Sequence, residues 1–300
     1  MRGSHHLLAL LALGIAPAEL SGQSERMTRL PLGDGVVAYH VTGAGVGTPL
    51  VIINGGPGLD HRYLHISDVW RRFGPTRRVV LFDQPGTGQS SPIGAQDTIT
   101  IERVLDGIEA IRGALGAGRV HLLGHSWGGY LALAYAIRHP DRVSRIVLVG
   151  SAAPDWSSTE VLFASLFPDS LERGAAWRLD DPKGLQEDFR RHVYMGMQSP
   201  EARSRVLAKL DSLPYNRRHG QLLVAQARAY DLKPLIAGIA VPTLVTTGRY
   251  DANIAPRTSW LIHRAIPGSR FAVFERSGHY PMFEEPDAFV AVVERFLRAP

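Results

Sequence analysis

Short apolar runs alternate with segments of helical periodicity along most of the sequence, and this alternation limits the fold more than any other feature. Runs rich in valine, isoleucine and leucine predict buried strands at 36–42, 49–53, 78–82, 120–123, 143–149, 242–247 and 270–274. Apolar residues three or four positions apart predict helices at 100–115, 130–138, 255–265 and 287–297. Alternating strands and helices are typical of an α/β fold, so we expect a mostly parallel sheet with helices on both faces.

Three glycines separate the first two predicted strands. Gly43, Gly45 and Gly47 lie between two strands and not in front of a helix, so a phosphate-binding loop is not expected there. We interpret this cluster as a hairpin turn.

The strand pattern stops at residue 151 and returns only after residue 234. The segment between contains helix formers and many aromatic residues. We therefore expect a helical insertion at 151–234 within a core made of 28–150 and 235–300. The aromatic side chains either line a substrate pocket or form the core of the insertion itself.

Composition excludes several classes of protein. The 300 residues are 45% hydrophobic and 20% charged, which is typical of a globular protein with a sizeable core. Because there is no cysteine, thiol catalysis, thiolate zinc sites and iron–sulfur clusters are excluded. Arginine carries most of the positive charge, partly in scattered pairs such as Arg217-Arg218. We interpret these pairs as solvated surface and expect no nucleic-acid partner.

The first residues resemble an export signal. Residues 7–16 form an apolar run that is too short to span a bilayer, with Arg2 before it and Ala-Pro-Ala at 16–18 after it. This pattern predicts a signal peptide at 1–18, and hence a periplasmic or secreted protein without stable membrane insertion. Two alternatives remain open, an amphiphilic leader on a cytoplasmic protein and an affinity tag, because the first six residues resemble the start of such a tag.

A single G-x-S-x-G motif spans residues 124–128 (Gly-His-Ser-Trp-Gly). In this motif a serine sits on a sharp turn from a strand to a helix, and glycines are needed because the backbone is strained and crowded. The context agrees, since a predicted strand precedes the motif and an alanine-rich helix follows it. The motif predicts that Ser126 is a nucleophile, with His125 as part of the scaffold of the turn.

A serine nucleophile needs a base, and the base needs an acid that holds its tautomer. In chain order the acid and then the histidine should follow the serine. Asp251 follows the predicted strand 242–247, and His279 follows the predicted strand 270–274. Both are therefore expected at the sheet edge where Ser126 lies. Asp251 has an alternative role as a cap of the helix at 255–265.

The same reaction needs two hydrogen-bond donors for the oxyanion of the tetrahedral intermediate. The N–H of Trp127 follows the nucleophile and is the first candidate. The second is expected in the loop after strand 49–53, where Gly55 and Gly56 permit a close approach to the substrate, and we favour the N–H of Gly56. This chemistry needs no cofactor and no metal. His61 and His65 have the spacing of metal ligands, but we expect no carboxylate or third ligand to accompany them, and hence no metal site.

Four motifs together resemble the signatures of the proline iminopeptidase family, within the α/β-hydrolase fold. They are Gly-Gly-Pro-Gly at 55–58, Asp83-Gln84 with Gly86, Gly88 and Ser90, Ser126-Trp127-Gly128-Gly129, and Gly248-Arg249-Tyr250-Asp251. The resemblance covers nearly the whole chain from about residue 28. It implies a mostly parallel central sheet, a helical cap inserted after the sixth strand, and release of N-terminal residues, chiefly proline, from peptides. Asn54 and Pro85 stand where the family usually has histidine and arginine.

The substrate is the most open point. The resembling family binds a free amino terminus through glutamates of the cap, but residues 151–234 carry eleven acidic and twelve basic residues. We expect a small-molecule or short peptide substrate in contact with Gly55, Trp156, Phe163, Trp177 and Tyr194. A carboxylesterase, lactonase or carbon–carbon bond hydrolase is the alternative, favoured by an apolar pocket without an acid. A non-catalytic binding protein on the same fold is the third possibility.

Overall fold

One sheet of eight strands runs through the protein in the computed structural model, which describes residues 27–94, 98–159, 162–166, 182–210, 213 and 215–299. The strands are β1 (Thr28–Leu32), β2 (Gly35–Thr42), β3 (Gly47–Ile53), β4 (Arg77–Asp83), β5 (Val120–His125), β6 (Val143–Val149), β7 (Thr243–Gly248) and β8 (Arg270–Phe274). Their order in the sheet is β1-β2-β4-β3-β5-β6-β7-β8. Only the pairings of β2 are antiparallel, so the predicted mostly parallel sheet is confirmed.

Helices of the described residues follow the predicted alternation. They are α1 (Ile101–Ala114), α2 (Trp127–Arg138), α3 (Phe163–Leu166), α4 (Pro182–Gly196), α5 (Pro200–Leu210), α6 (Arg217–Ala229), α7 (Pro256–Ala265), α8 (Pro281–Glu284) and α9 (Pro286–Arg298). Short 3-10 turns at His61–Ile66 and Val69–Phe73 fill the connection from β3 to β4. None of the helices in this described part of the chain is long and apolar enough to cross a membrane.

The core lies on both faces of the sheet, because alternate residues of each central strand point to opposite sides. Along β3, Val51 and Ile53 belong to a buried cluster with α1 and α2. Their neighbours Leu50 and Ile52 belong to a second cluster, which includes residues of α9. This two-sided burial explains why β3 is apolar at consecutive positions.

The glycine cluster at 43–47 does not form the hairpin that we expected. β2 pairs with β1 and β4, while β3 lies beyond β4, so the two predicted neighbours are not adjacent. The connection instead packs against residues 74–77, where a Cβ at Gly43 would overlap the Cα of Gly74 and one at Gly45 would overlap the carbonyl carbon of Thr76. The glycines are therefore required by close backbone packing. The strand β1, which pairs with β2, was not predicted.

Between β6 and β7, the described part of the chain contains helices and no strand of the sheet, in line with the change of composition at residue 151. We call residues 151–234 the insert. It contacts the core at the carboxyl-terminal edge of the sheet, where Leu59 and Tyr215 form an isolated β-bridge and the N–H of Asn216 donates to the carbonyl of Gly58 at 2.8 Å. The predicted leader at 1–18 lies outside the described residues.

Candidate active site

Ser126 occupies the turn between β5 and α2 with a backbone conformation that side chains rarely adopt. Its φ is 56° and its ψ is −120°, and it is the one non-glycine residue with positive φ among the described residues. The flanking glycines are required by space, because a Cβ at Gly128 would overlap the carbonyl oxygen of Ile53 and one at Gly124 would overlap the carbonyl of Gly128. The close packing maintains this strained conformation, and Ser126 lines a cavity with 8% of the residue exposed.

Asp251 and His279 lie together at the same edge of the sheet. The Nδ1 of His279 is 2.8 Å from Oδ2 of Asp251, and both residues are 1% exposed. The other carboxylate oxygen accepts from the N–H groups of Asn253 at 3.0 Å and Ile254 at 2.8 Å, which fixes the carboxylate. The N-cap of α7 is Ala255, so Asp251 does not have its alternative role as cap of that helix. Since Nδ1 is engaged, Nε2 is the nitrogen left to accept a proton.

Gly150 makes room for this pair. It lies at the end of β6 with a φ of 50°, and a Cβ there would be 2.9 Å from Oδ2 of Asp251 and 3.0 Å from Nδ1 of His279. His279 is also held from the insert, because its N–H donates to the carbonyl of Gly196 at 2.6 Å. The acid and histidine are thus packed from both the core and the insert.

A cavity of about 480 Å³ brings Ser126 and His279 together. Gly55 and Gly56 also line it, as predicted for the loop after β3. The N–H of Gly55 donates to the hydroxyl of Tyr63 at 2.6 Å, so Gly56 carries the N–H that remains for an oxyanion. Trp127 is the first residue of α2, and its N–H therefore has no acceptor inside the helix. Its indole donates to Oε1 of Gln84 at 3.1 Å, which fixes the start of the helix.

Only some of the residues predicted to contact the substrate line this cavity. Trp156 lines it, with its ring centre 5.6 Å from that of Trp127 in an edge-on arrangement. Tyr194 instead lines a separate depression on α4, is 58% exposed, and has the guanidinium of Arg203 at 4.3 Å from its ring centre. Trp177 and the side chain of Phe163 lie outside the described residues.

Several lining residues were not predicted from the sequence. They are Leu59, Tyr63, Ala152, Thr159, His192, Tyr215, Arg217, Gln221, Asn253, Ile254 and Tyr280. The interpretation of Arg217 as solvated surface was wrong, because it is half-buried and faces the same cavity as Ser126. A pair of arginines gives no signal of this in the sequence. Among the described lining residues there is no aspartate or glutamate.

A buried chain of hydrogen bonds joins the two sides of the site. The Nε2 of His125 donates to the carbonyl of His279 at 2.9 Å, and its Nδ1 accepts from the hydroxyl of Tyr63 at 2.8 Å. Burial, and next the neighbouring His279, hold the pKa of His125 well below its ordinary value. A neutral His125 with its proton on Nε2 satisfies both bonds. Through Tyr63, this chain reaches the N–H of Gly55 in the loop after β3.

The surroundings of His61 also differ from expectation. Asp60 and Asp83 lie beside it, and all three residues are buried with possible ligand atoms within 4.8 Å of one another. The prediction that no carboxylate accompanies His61 was therefore wrong. The carboxylate oxygens are already used, since Asp83 accepts from Nδ1 of His61 at 2.6 Å and from the N–H of Gln89 at 2.7 Å, and Asp60 accepts from Arg62. These bonds connect the loop after β3 to the loop after β4.

The architecture and the strand-to-helix turn define an α/β hydrolase. The family profile described as the alpha/beta hydrolase fold matches residues 48–286, and the chain belongs to this family. A proline iminopeptidase of Lactobacillus helveticus is 30% identical over 268 residues, which cover 83% of this chain and 89% of that relative. A proline iminopeptidase of Heyndrickxia coagulans is 27% identical over 277 residues, 85% of this chain and 92% of that relative.

Solved structures agree on the fold. The proline iminopeptidase of Mycobacterium smegmatis superposes with a TM-score of 0.71 at 25% identity, covering 91% of this chain and 97% of that chain. A thermophilic esterase from Thermogutta terrifontis superposes with a TM-score of 0.72 at 24% identity, covering 91% of this chain and 98% of that chain. Together, the similar proteins support a hydrolase and include both peptidases and esterases.

Proposed function

We propose that this protein is a serine hydrolase in which Ser126, His279 and Asp251 form a catalytic triad. The supporting observation is the buried hydrogen bond between His279 and Asp251, at the cavity that Ser126 also lines. His279 takes the proton of the Ser126 hydroxyl as the oxygen attacks the substrate carbonyl. It then gives that proton to the leaving amine or alcohol, and water hydrolyses the acyl-enzyme by the same route.

The N–H groups of Trp127 and Gly56 stabilise the oxyanion in this proposal. Trp127 has a free N–H at the helix start, where the helix dipole also favours negative charge. Gly56 reaches the cavity with a φ of 132°, a conformation open to glycine. The insert at 151–234 serves as a cap over the core of 28–150 and 235–300, which agrees with the lining residues it contributes, such as Trp156 and Arg217.

For the substrate, the first candidate is a peptide with an N-terminal proline. Similarity to proline iminopeptidases over more than four-fifths of the chain supports it. In this reading the acyl group is proline and the leaving group is the amine of the next residue. The described lining of the cavity contains no carboxylate that would pair with the free ammonium of such a peptide.

A carboxylesterase or lactonase is the second candidate, and the lining of the cavity favours it. Apolar and aromatic side chains such as Leu59, Trp156 and Ile254 suit a neutral acyl or alcohol group. The alcohol of an ester is also a better leaving group than the amine of an amide. The proposed triad hydrolyses both kinds of substrate by the same steps.

Hydrolysis of matched substrates tests the proposal. We expect the purified protein to hydrolyse a prolyl arylamide or a short-chain aryl ester, and Ser126→Ala to lose that activity by several orders of magnitude while it stays folded. Acylation of the proline nitrogen should abolish turnover only if the amine is recognised. Ester turnover alone would select the second candidate, and full activity of Ser126→Ala would refute the triad.

A further inference from the structure

The backbone around His279 is held by hydrogen bonds from three different parts of the molecule. Its own N–H donates to the carbonyl of Gly196 at 2.6 Å, and its carbonyl accepts from Nε2 of His125 at 2.9 Å. The N–H of the preceding residue, Gly278, donates to Oε2 of Glu284 at 2.6 Å. The position of the imidazole therefore depends on groups outside the proposed triad.

The carboxylate of Glu284 also binds the insert. Its Oε1 accepts from the N–H of Gln198 at 2.5 Å and from the N–H of Ser199 at 3.2 Å. Both donors belong to the turn between α4 and α5, and α4 ends at Gly196. One carboxylate thus joins the loop that carries His279 to the turn of the insert that accepts from its N–H.

This loop and this turn are in close contact. A Cβ at Gly278 would lie 2.2 Å from the carbonyl oxygen of Gly196. The next residue of the turn, Met197, is buried in the cluster that also contains residues of α9. Because the two segments are closely packed, a displacement of the turn is transmitted to the loop.

The adjacent carboxylate, on Glu285, provides a comparison within the same loop. Its Oε2 accepts from the N–H of Arg276 at 2.9 Å and from the hydroxyl of Ser277 at 2.6 Å. These partners all lie on the core. Glu285 therefore stabilises the loop from the core alone, whereas Glu284 connects it to the insert.

We propose that Glu284 is a positioning residue for His279, and that it acts by connecting the loop of His279 to the insert. This inference rests on the proposed serine hydrolase function, in which His279 is the base. A carboxylate accepts hydrogen bonds at both oxygens, whereas a glutamine accepts at one and presents an NH₂ group on the other side. Glu284→Gln therefore keeps the size of the side chain but breaks one of the two connections.

Hydrogen–deuterium exchange of the purified protein tests the connection without any substrate. In Glu284→Gln we expect the amides of residues 196–199 and 278–279 to exchange about tenfold or more faster than in the wild type, since a hydrogen bond to a charged group is lost. Glu285→Gln removes the same charge from the next position and should leave the amides of 196–199 unchanged. Unchanged exchange at 196–199 in Glu284→Gln, or the same increase in both variants, would overturn the inference.

The reactivity of Ser126 towards a fluorophosphonate tests the positioning. The serine oxygen bonds to phosphorus, fluoride leaves, and His279 takes the serine proton, so the labelling rate reports the alignment of the pair. At a temperature where urea unfolding shows both variants to be folded, we expect Glu284→Gln to be labelled about tenfold to 100-fold more slowly than Glu285→Gln. On the better of the two test substrates, kcat should fall with little change in KM.

Glu284→Asp separates the connection from the charge and serves as a second variant if Glu284→Gln does not fold. It keeps the carboxylate but shortens the side chain by one carbon, so that the loop and the turn are no longer both within reach. We expect labelling about tenfold slower than in the wild type. Labelling of Glu284→Asp at the wild-type rate, or equal rates for Glu284→Gln and Glu285→Gln, would overturn the inference alone. A wild-type protein that is not labelled at Ser126 would instead refute the proposed function.

Discussion

Replacement of Tyr63 by phenylalanine removes the central link of the buried hydrogen-bond chain. The ring stays, so no cavity is created, but the N–H of Gly55 loses an acceptor at 2.6 Å and Nδ1 of His125 loses a donor at 2.8 Å. A buried polar group left without its partner costs about 1 to 3 kcal/mol. Gly55 borders the cavity, where a water molecule can accept the hydrogen bond of its N–H and so reduce this cost. We therefore expect Tyr63→Phe to lower the free energy of unfolding by about 2 to 4 kcal/mol.

The same change should also slow the reaction. Gly55 precedes Gly56, the proposed oxyanion donor, and Tyr63 fixes this loop relative to the turn that carries Ser126. Complete removal of an oxyanion donor costs about 100-fold to 1,000-fold in kcat. Because the donor here is loosened and not removed, we expect kcat to fall by about tenfold to 100-fold, with a smaller change in KM.

Urea unfolding and steady-state kinetics on the better of the two test substrates measure both effects. Tyr280→Phe is the control for stability, since Tyr280 lines the same cavity but its hydroxyl has no hydrogen-bond partner among the described residues. That variant should change the free energy of unfolding by less than about 1 kcal/mol. If Tyr63→Phe were as stable and as active as the wild type, the hydrogen-bond chain would not position the loop.

Two other properties follow from the buried groups. Asp251→Asn should lower kcat by about 10⁴-fold with the fold intact, because an amide does not hold the required tautomer of His279, and a loss below tenfold would contradict the role of Asp251. Burial lowers the pKa of His121 to about 3, with a further contribution from Arg77 and Arg145, and it lowers the pKa of His219 to about 4. A histidine in the unfolded chain has a pKa of about 6.5, so below this pH the unfolded state binds protons that the folded state does not bind. The free energy of unfolding should therefore fall as the pH drops from about 6.5 towards 4. The loss at pH 5 is up to about 2 kcal/mol for each histidine, and urea midpoints that do not fall between pH 7.5 and pH 5 would disprove this.

Local patterns were sufficient to predict most of the sheet and the turn at Ser126. The central strands are apolar at consecutive positions because both of their faces are covered, and this is visible in the sequence. The motif at 124–128 depends on backbone strain and on glycines that permit close packing, which are also local requirements. Asp251 and His279 could be selected because each follows a strand, and parallel strands end at one edge of the sheet.

Strand order required the tertiary structure. The glycines at 43–47 were compatible with a hairpin, since the sequence does not show which strand inserts between β2 and β3. The strand β1 is short and largely exposed, so it lacks the apolar signal that identified the others. Pairing with β2, and not its own composition, makes it a strand.

The lining of the cavity was likewise decided by tertiary contacts. Ser126, Asp251, His279, Gly55 and Gly56 could be proposed as site residues from the sequence, because the expected chemistry demands particular residue types at the ends of strands. Tyr63, Arg217 and Gln221 carry no such signature, and Tyr194 was expected in the cavity but lines a separate depression. Which face of a helix meets the cavity depends on how the insert docks on the loop at 55–60. That docking is made by backbone contacts such as the hydrogen bond from Asn216 to Gly58. Because nearly every residue type carries the same backbone groups, the sequence does not show which of them pair.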